Sequence, residues 1–138
     1  MLASNLQPDI ALKALLDGKV ASDKGVLAVY PHESLPNNVS ADDFITIQRN
    51  GIVRSMTKPM GLFRGNLALS IYCRLYSDNT ANVIKSRRLM QMCEELVNCK
   101  TNKEFYFELD ATNPITVPNA NTTSGYSVAV LNVAWHTT

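Results

Sequence analysis

Between Arg64 and Tyr76 the chain alternates with period two, and no other feature restricts its possible folds so sharply. Leu67, Leu69, Ile71, Cys73 and Leu75 are apolar, whereas Arg64, Asn66, Ser70 and Arg74 are polar. Successive side chains of an extended chain point to opposite faces. The pattern therefore predicts a long strand over 62–76 with one buried face and one decorated face. The period then changes. Across 81–98, Ala81, Leu89, Met92, Cys93 and Leu96 gather on one helical face, and Arg87, Arg88, Gln91, Glu94, Glu95 and Asn98 on the other. A half-apolar strand followed by a half-apolar helix predicts packing of one on the other. The expected contact sets Leu67, Leu69, Ile71 and Cys73 against Leu89, Met92, Cys93 and Leu96.

The remaining segments extend this α+β reading. Pro8 and Asp9 suit the first turn of a helix over 8–17, which Gly18 ends. Residues 25–30 read as a mostly buried strand closed by Pro31, and 31–42 as a loop. Phe44 to Arg49 is a strand, Asn50-Gly51 a tight turn, and 52–57 the returning strand. A second turn at Lys58-Pro59-Met60-Gly61 leads into the long strand. Asp78, Asn79 and Thr80 are all competent caps for the main helix. Residues 104–109 alternate as a strand, and 110–124 form a long polar loop with Pro114 and Pro118. Tyr126 to His136 is apolar on both faces and reads as a central strand, buried by the fold or by a neighbouring subunit. The expected architecture is one domain over 1–138. It holds a single mostly antiparallel or mixed sheet of about four to five strands with a projecting hairpin, packed against two helices.

A chain of 138 residues can bury a core without disulfides or a metal. Its formal net charge of +1 supplies no global attraction for nucleic acid or an anionic membrane. No apolar run approaches the roughly 20 residues of a membrane helix. Residues 1–16 lack the basic start and unbroken apolar core of a secretory leader. The three cysteines, Cys73, Cys93 and Cys99, have no metal or redox spacing, and an odd count favours a reducing compartment. Cys73 and Cys93 fall on apolar faces as small core residues.

No constellation for chemistry emerges. His32 and His136 are far apart, outside any nucleophile or metal motif, and read as surface residues. Asp42-Asp43 read as solvated or turn residues. Gly61 to Gly65 lacks a phosphate-loop pattern, and Gly65 marks a bulge in the long strand. The expectation is a protein that is not an enzyme, binds no cofactor or metal, and works by contact. Arg49, Arg54, Lys58, Arg64 and Arg74 cluster on the hairpin and the long strand. They are either solvated edge charge that deters sheet pairing, or a docking face for acidic protein, or the wall of a channel for nucleic acid. Sequence-specific DNA binding lacks support, because no helix is basic along one face.

In element order and length the chain resembles the tail terminator (tail completion) proteins of long-tailed bacteriophages. The resemblance runs through Phe44-Ile45-Thr46-Ile47 at the start of the hairpin, Arg64 to Cys73, the helix Ala81 to Val97 and the strand Tyr126 to Trp135. It implies a ring of copies of this chain, usually a hexamer. Such a ring caps the tail tube, stops tube polymerisation and joins the tail to a head–tail connector or stopper protein. DNA would pass through its lumen without sequence-specific contacts. The implied place is the tail–neck junction of the virion, assembled in the bacterial host cytoplasm, with no membrane involved. The chain offers Arg49, Asn50, Gly51, Arg54, Lys58 and Arg64 on the hairpin and sheet face for such contacts. Ile84 and Arg88 on the outer helix face, and Asn119 and Asn121 in the polar loop, complete the candidate interface. The alternatives are another phage neck protein (a head–tail stopper or adaptor) and a small-ligand binding domain with 110–124 as a lid.

Overall fold

A computed structural model describes residues 6–31, 43–55, 62–110, 115–121 and 125–138, and for 50–55 and 115–121 it describes the backbone. The elements are α1 (Pro8–Leu16), β1 (Ala21–Ser22), β2 (Gly25–Val26), β3 (Ala28–Pro31), β4 (Asp43–Ser55) and β5 (Phe63–Arg74). There follow α2 (Val83–Val97), β6 (Lys100–Asn102), β7 (Phe105–Leu109), β8 (Ile115–Asn121) and β9 (Tyr126–Thr137). β1 and β2 form a small hairpin of their own. The main sheet has seven strands in the order β3-β4-β5-β9-β7-β6, with β8 also on β9. Every pairing in it is antiparallel except β3 with β4.

Both helices pack on one face of this sheet. Leu67, Leu69, Ile71 and Cys73 of β5 are fully buried there, beside Ala129, Leu131, Val133 and Trp135 of β9. From α2, Leu89, Met90, Cys93 and Val97 are buried, while Met92 and Leu96 are only partly buried against the core. The helix is thus rolled from the expected setting, with Met90 and Val97 taking the deeper positions. Ser86 comes inward as well, its Oγ 3.4 Å from that of Ser127. The cap of α2 is Asn82, which accepts a hydrogen bond from the Lys85 backbone N–H at 3.1 Å. Asp78 is spent on a turn of its own, accepting from the Thr80 N–H and hydroxyl at 3.1 and 2.6 Å.

Four expectations need correction. Asn50-Gly51 is not the hairpin turn. β4 runs through it, and the β4–β5 ladder continues to Arg54↔Arg64 and Ser55↔Phe63. The register shifts between Asn50 and Arg54, so the pair sits in a bulge, whose irregular backbone suits Asn and Gly as well as a turn does. β9 accompanies β5 as far as Arg64↔His136, so the described part of the hairpin stays within the sheet; residues 56–61 lie outside the described residues.

Second, the polar segment 110–124 contains a strand. β7 pairs with β9 from Phe105↔Thr137 to Leu109↔Val133, and β8 then pairs from Ile115↔Leu131 to Asn121↔Tyr126. Between them the Asp110 N–H donates to the Asn132 carbonyl at 2.8 Å. β7 and β8 therefore lie end to end along one side of β9, and β5 takes the other. Together with β6, which turns back at Lys103 without a glycine or proline to announce it, β8 raises the strand count above four to five.

Third, residues 25–30 form two short strands, and Pro31 continues β3 rather than closing it. An edge strand tolerates proline because one of its sides needs no ladder donor. Fourth, the bulge belongs to β4 and not to Gly65. Gly65 pairs regularly with Trp135, whose indole comes within 2.8 Å of where a Cβ on Gly65 would stand. Trp135 covers the space that a side chain at 65 would occupy.

Leu69→Ala should lower stability by about 2–5 kcal/mol, the usual range for a fully buried leucine. Gly65→Ala should cost about 1–3 kcal/mol by forcing Trp135 aside, and should change the tryptophan emission. Urea denaturation followed by fluorescence checks both. An unchanged midpoint in either variant contradicts the packing described.

Candidate functional site

The even-numbered residues of β4 up to Gln48, and of β5 and β9, point away from both helices; this second sheet face is exposed at Gln48, Arg64 and Asn66, whereas Phe44, Thr46 and Tyr126 on it are buried. One end of it is aromatic. The rings of Phe44 and Tyr72 stack at 4.5 Å, and Tyr126 meets Phe44 edge-on at 5.2 Å. Tyr30 lies 6.0 Å from Phe44, and the Arg74 guanidinium lies 5.0 Å above the Tyr126 ring. Each of these rings comes from a different strand. The cluster was invisible in the sequence because only the register, Phe44↔Tyr72 and Arg74↔Tyr126, brings it together.

The other end is basic. Register places Arg54, Arg64 and His136 side by side on β4, β5 and β9, and Tyr106 beside His136 on β7. Arg64 is exposed, and the His136 and Tyr106 rings lie 5.0 Å apart. No acidic residue belongs to this row.

The candidate cations are not one surface. Arg49 points to the helix side, where its Nη2 is 3.2 Å from Oδ1 of the buried Asp9. It fastens β4 to α1, apart from the other candidate cations. Arg74 is engaged with Tyr126. Asn50 and Gly51 lie at the β4 bulge, and Lys58 and His32 lie outside the described residues. Asn119 and Asn121 belong to β8, opposite Val128 and Tyr126.

Ile84 and Arg88 sit elsewhere, on the outer face of α2. Ile84 is 74% exposed, the most open of the large apolar residues described. Both line a groove of about 520 Å³ between the β1–β2 hairpin and α2, together with Asp23, Tyr76, Lys85 and Met92. The candidate interface residues Ile84 and Arg88 thus lie on the side of α2 away from the sheet, beside a groove that the sequence did not reveal.

One wall of that groove is a buried ionic knot. Oδ2 of Asp43 accepts from the Ser22 hydroxyl at 2.8 Å and from Lys85 Nζ at 3.1 Å, and Oδ1 accepts from the Arg74 backbone N–H at 3.0 Å. Lys85 also reaches Asp23 at 3.8 Å. Asp43 is thus no solvated turn residue; it joins β1, β4, β5 and α2. Sequence offered no sign of this, because an acid at a strand start reads the same whether solvated or buried. Asp43→Ala should cost about 3–5 kcal/mol, since the half-buried Lys85 loses its main counter-charge. Thermal unfolding of the variant measures it; a loss below about 1 kcal/mol, the range of an exposed pair, would place the knot in solvent.

Among the described residues no group of three His, Cys, Asp or Glu is placed to hold a metal ion. Cys73 and Cys93 are buried and Cys99 is exposed. Burial pushes the Cys73 thiol up, and burial with Cys73 as neighbour pushes Cys93 up to about 12. Both thiols stay protonated in the fold where the unfolded chain would ionise them. Their contribution is whole below pH 9.0, the ordinary thiol value, and is lost as pH rises toward about 12. A thiol reagent at neutral pH should label Cys99 at once and the other two only on unfolding, and stability should fall across that alkaline window. Rapid labelling of all three would contradict the burial.

No family model matches the chain, and no curated protein matches it. A solved structure superposes over 94% of this chain and 92% of its own, with a TM-score of 0.63 at 9% identity. At that identity the likeness shows the fold alone. No helix among the described residues is long and apolar enough to cross a membrane.

Proposed function

We propose that this chain is a structural protein of a phage tail, a tail terminator that forms a ring on the end of the tail tube. The observation that carries this reading is the basic row on the second sheet face. Like charges directly opposite one another on neighbouring strands oppose sheet pairing, yet Arg54 stands opposite Arg64. Among the described residues Arg64 has no ion-pair partner. A face that retains such a row is suited to an acidic protein surface. Charges at an interface rim act mainly on specificity and association rate.

The element order supports the same reading. An early helix, a long β4–β5 ladder, a long helix and a long closing strand follow one another as the family resemblance implies. The partners proposed are further copies of this chain, the tail tube protein and a head–tail connector or stopper, with DNA in the lumen and the virion neck as the place of action. A ring needs heterologous contacts that close by rotation. A stopper or adaptor role would use the same ring and differ in what it caps. The ligand-binding reading loses its lid, because half of 110–124 is paired to β9.

The test combines assembly and phenotype. Arg54→Glu with Arg64→Glu should weaken ring formation, or its attachment to purified tail tubes, at least about tenfold while leaving the subunit folded. Mass measurement with and without the tube protein reads the effect. A phage lacking the protein should make overlong tails or tails that fail to join heads. Tails of normal length that join heads in its absence would overturn the assignment.

A further inference from the structure

The outer face of α2 carries its charges in an unusual order. Cations favour the C-terminal end of a helix and anions the N-terminal end. Here Arg87 and Arg88 lie in the N-terminal half, and Glu94 and Glu95 lie in the last turn. Arg87, Arg88, Gln91 and Glu95 are exposed and Glu94 is half-buried. Within the described residues none of these charges forms an ion pair. Their spacing also denies them one another, because no Arg and Glu of the set are three or four residues apart, save at positions occupied by Gln91. The face is therefore split into a positive half and a negative half, with Gln91 between them and the exposed Ile84 at the positive end.

We propose that this face binds a second copy of itself, α2 against α2, antiparallel about a two-fold axis at Gln91. In that register Arg88 faces Glu94 of the second copy, Arg87 faces Glu95, and Gln91 faces Gln91. Each attraction occurs twice, because a two-fold contact is self-complementary. A parallel arrangement would set like against like. An acidic or a basic partner of another kind would complement only half of the face, so charge complementarity selects the second copy. The helix is 15 residues long, about 22 Å, and a stripe some 10 Å wide buries roughly 220 Å² per copy. That is well short of the ~800 Å² per partner of a stable complex, so single subunits pair weakly. Copies already gathered in an array would pair far more tightly, since each further contact is intramolecular. The contact is separate from the basic row on the sheet and does not depend on the tail reading.

Cysteine cross-linking tests the two-fold. In a Cys99→Ser background, Gln91→Cys should give a disulfide-linked dimer under mild oxidation, because residue 91 meets its own counterpart. Lys24→Cys, exposed at the β1–β2 turn and not on α2, should not. Adding Arg88→Glu should reduce the Gln91→Cys dimer roughly tenfold, since two attractions become two repulsions. Arg88→Glu with Glu94→Arg should restore it. Failure of Gln91→Cys to link above the Lys24→Cys level overturns the proposal and assigns the face to a different surface or protein. Linking that ignores Arg88→Glu, or that the double exchange does not rescue, overturns the charge register. All of these positions are at the surface, and circular dichroism of each variant confirms an intact fold.

Discussion

The ladder between β5 and β9 is the constraint on which the rest of the structure depends. It pairs the chain's two longest regularly paired segments, from Arg64↔His136 to Arg74↔Tyr126, without a break in register. Because side chains alternate, that single register decides both faces at once. It sets Leu67, Leu69, Ile71 and Cys73 beside Val133, Leu131, Ala129 and Ser127 under the helices, and the polar and aromatic residues on the other side. A slip of one residue would bring Arg64 and Asn66 beneath α2. Gly65↔Trp135 resists such a slip, because the indole needs a residue without a Cβ directly opposite it. β4 then adds to β5, while β7 and β8 add to β9.

Much of this was legible in the sequence, for a physical reason. Long amphipathic segments bury one face whatever their neighbours are, so the period alone identified α1, α2 and β5, and a run apolar on both faces identified β9. Short elements do not carry their own signal. β6 is three residues long and exists because β7 offers it a partner. β8 has the composition of a loop and is a strand because one side of β9 would otherwise lack a ladder along Tyr126 to Leu131. The double-sided apolar character of β9 was a clue to this, since strands flanked on both sides tend to be central. Asn50-Gly51 misled because the same backbone freedom serves a turn and a bulge.

The candidate site was less legible, because it depends on registry between strands. Alternation in β5 and β9 shows that Arg64 and His136 each leave the core. It cannot show that they stand beside each other, or that Arg54 joins them only after a bulge has reset β4. The sequence also could not separate Arg49 from Arg64. They lie on opposite sides of the sheet, and Arg49 is held by an aspartate forty positions away on α1. Ile84 could be recognised from the sequence as an apolar residue in a polar arc. The groove beside it required the β1–β2 hairpin, which no periodicity predicted.

Two features run against local stability, and they are of the same kind. Arg54 and Arg64 set like charges opposite one another, and α2 carries its charges against its dipole. Each costs only about a few tenths of a kcal/mol to one kcal/mol, less than a single well-buried leucine supplies, so the fold tolerates both. Buried charge in this protein is treated differently: Asp9 has Arg49, and Asp43 has Lys85. The contrast separates two uses of charge. Where charge is buried, it is neutralised inside the subunit. Where a described charge has no partner inside the subunit, as at Arg64, Arg87, Arg88 and Glu95, it is exposed and water solvates it. Under the proposed contact role, specificity would lie in those exposed charges and not in the core.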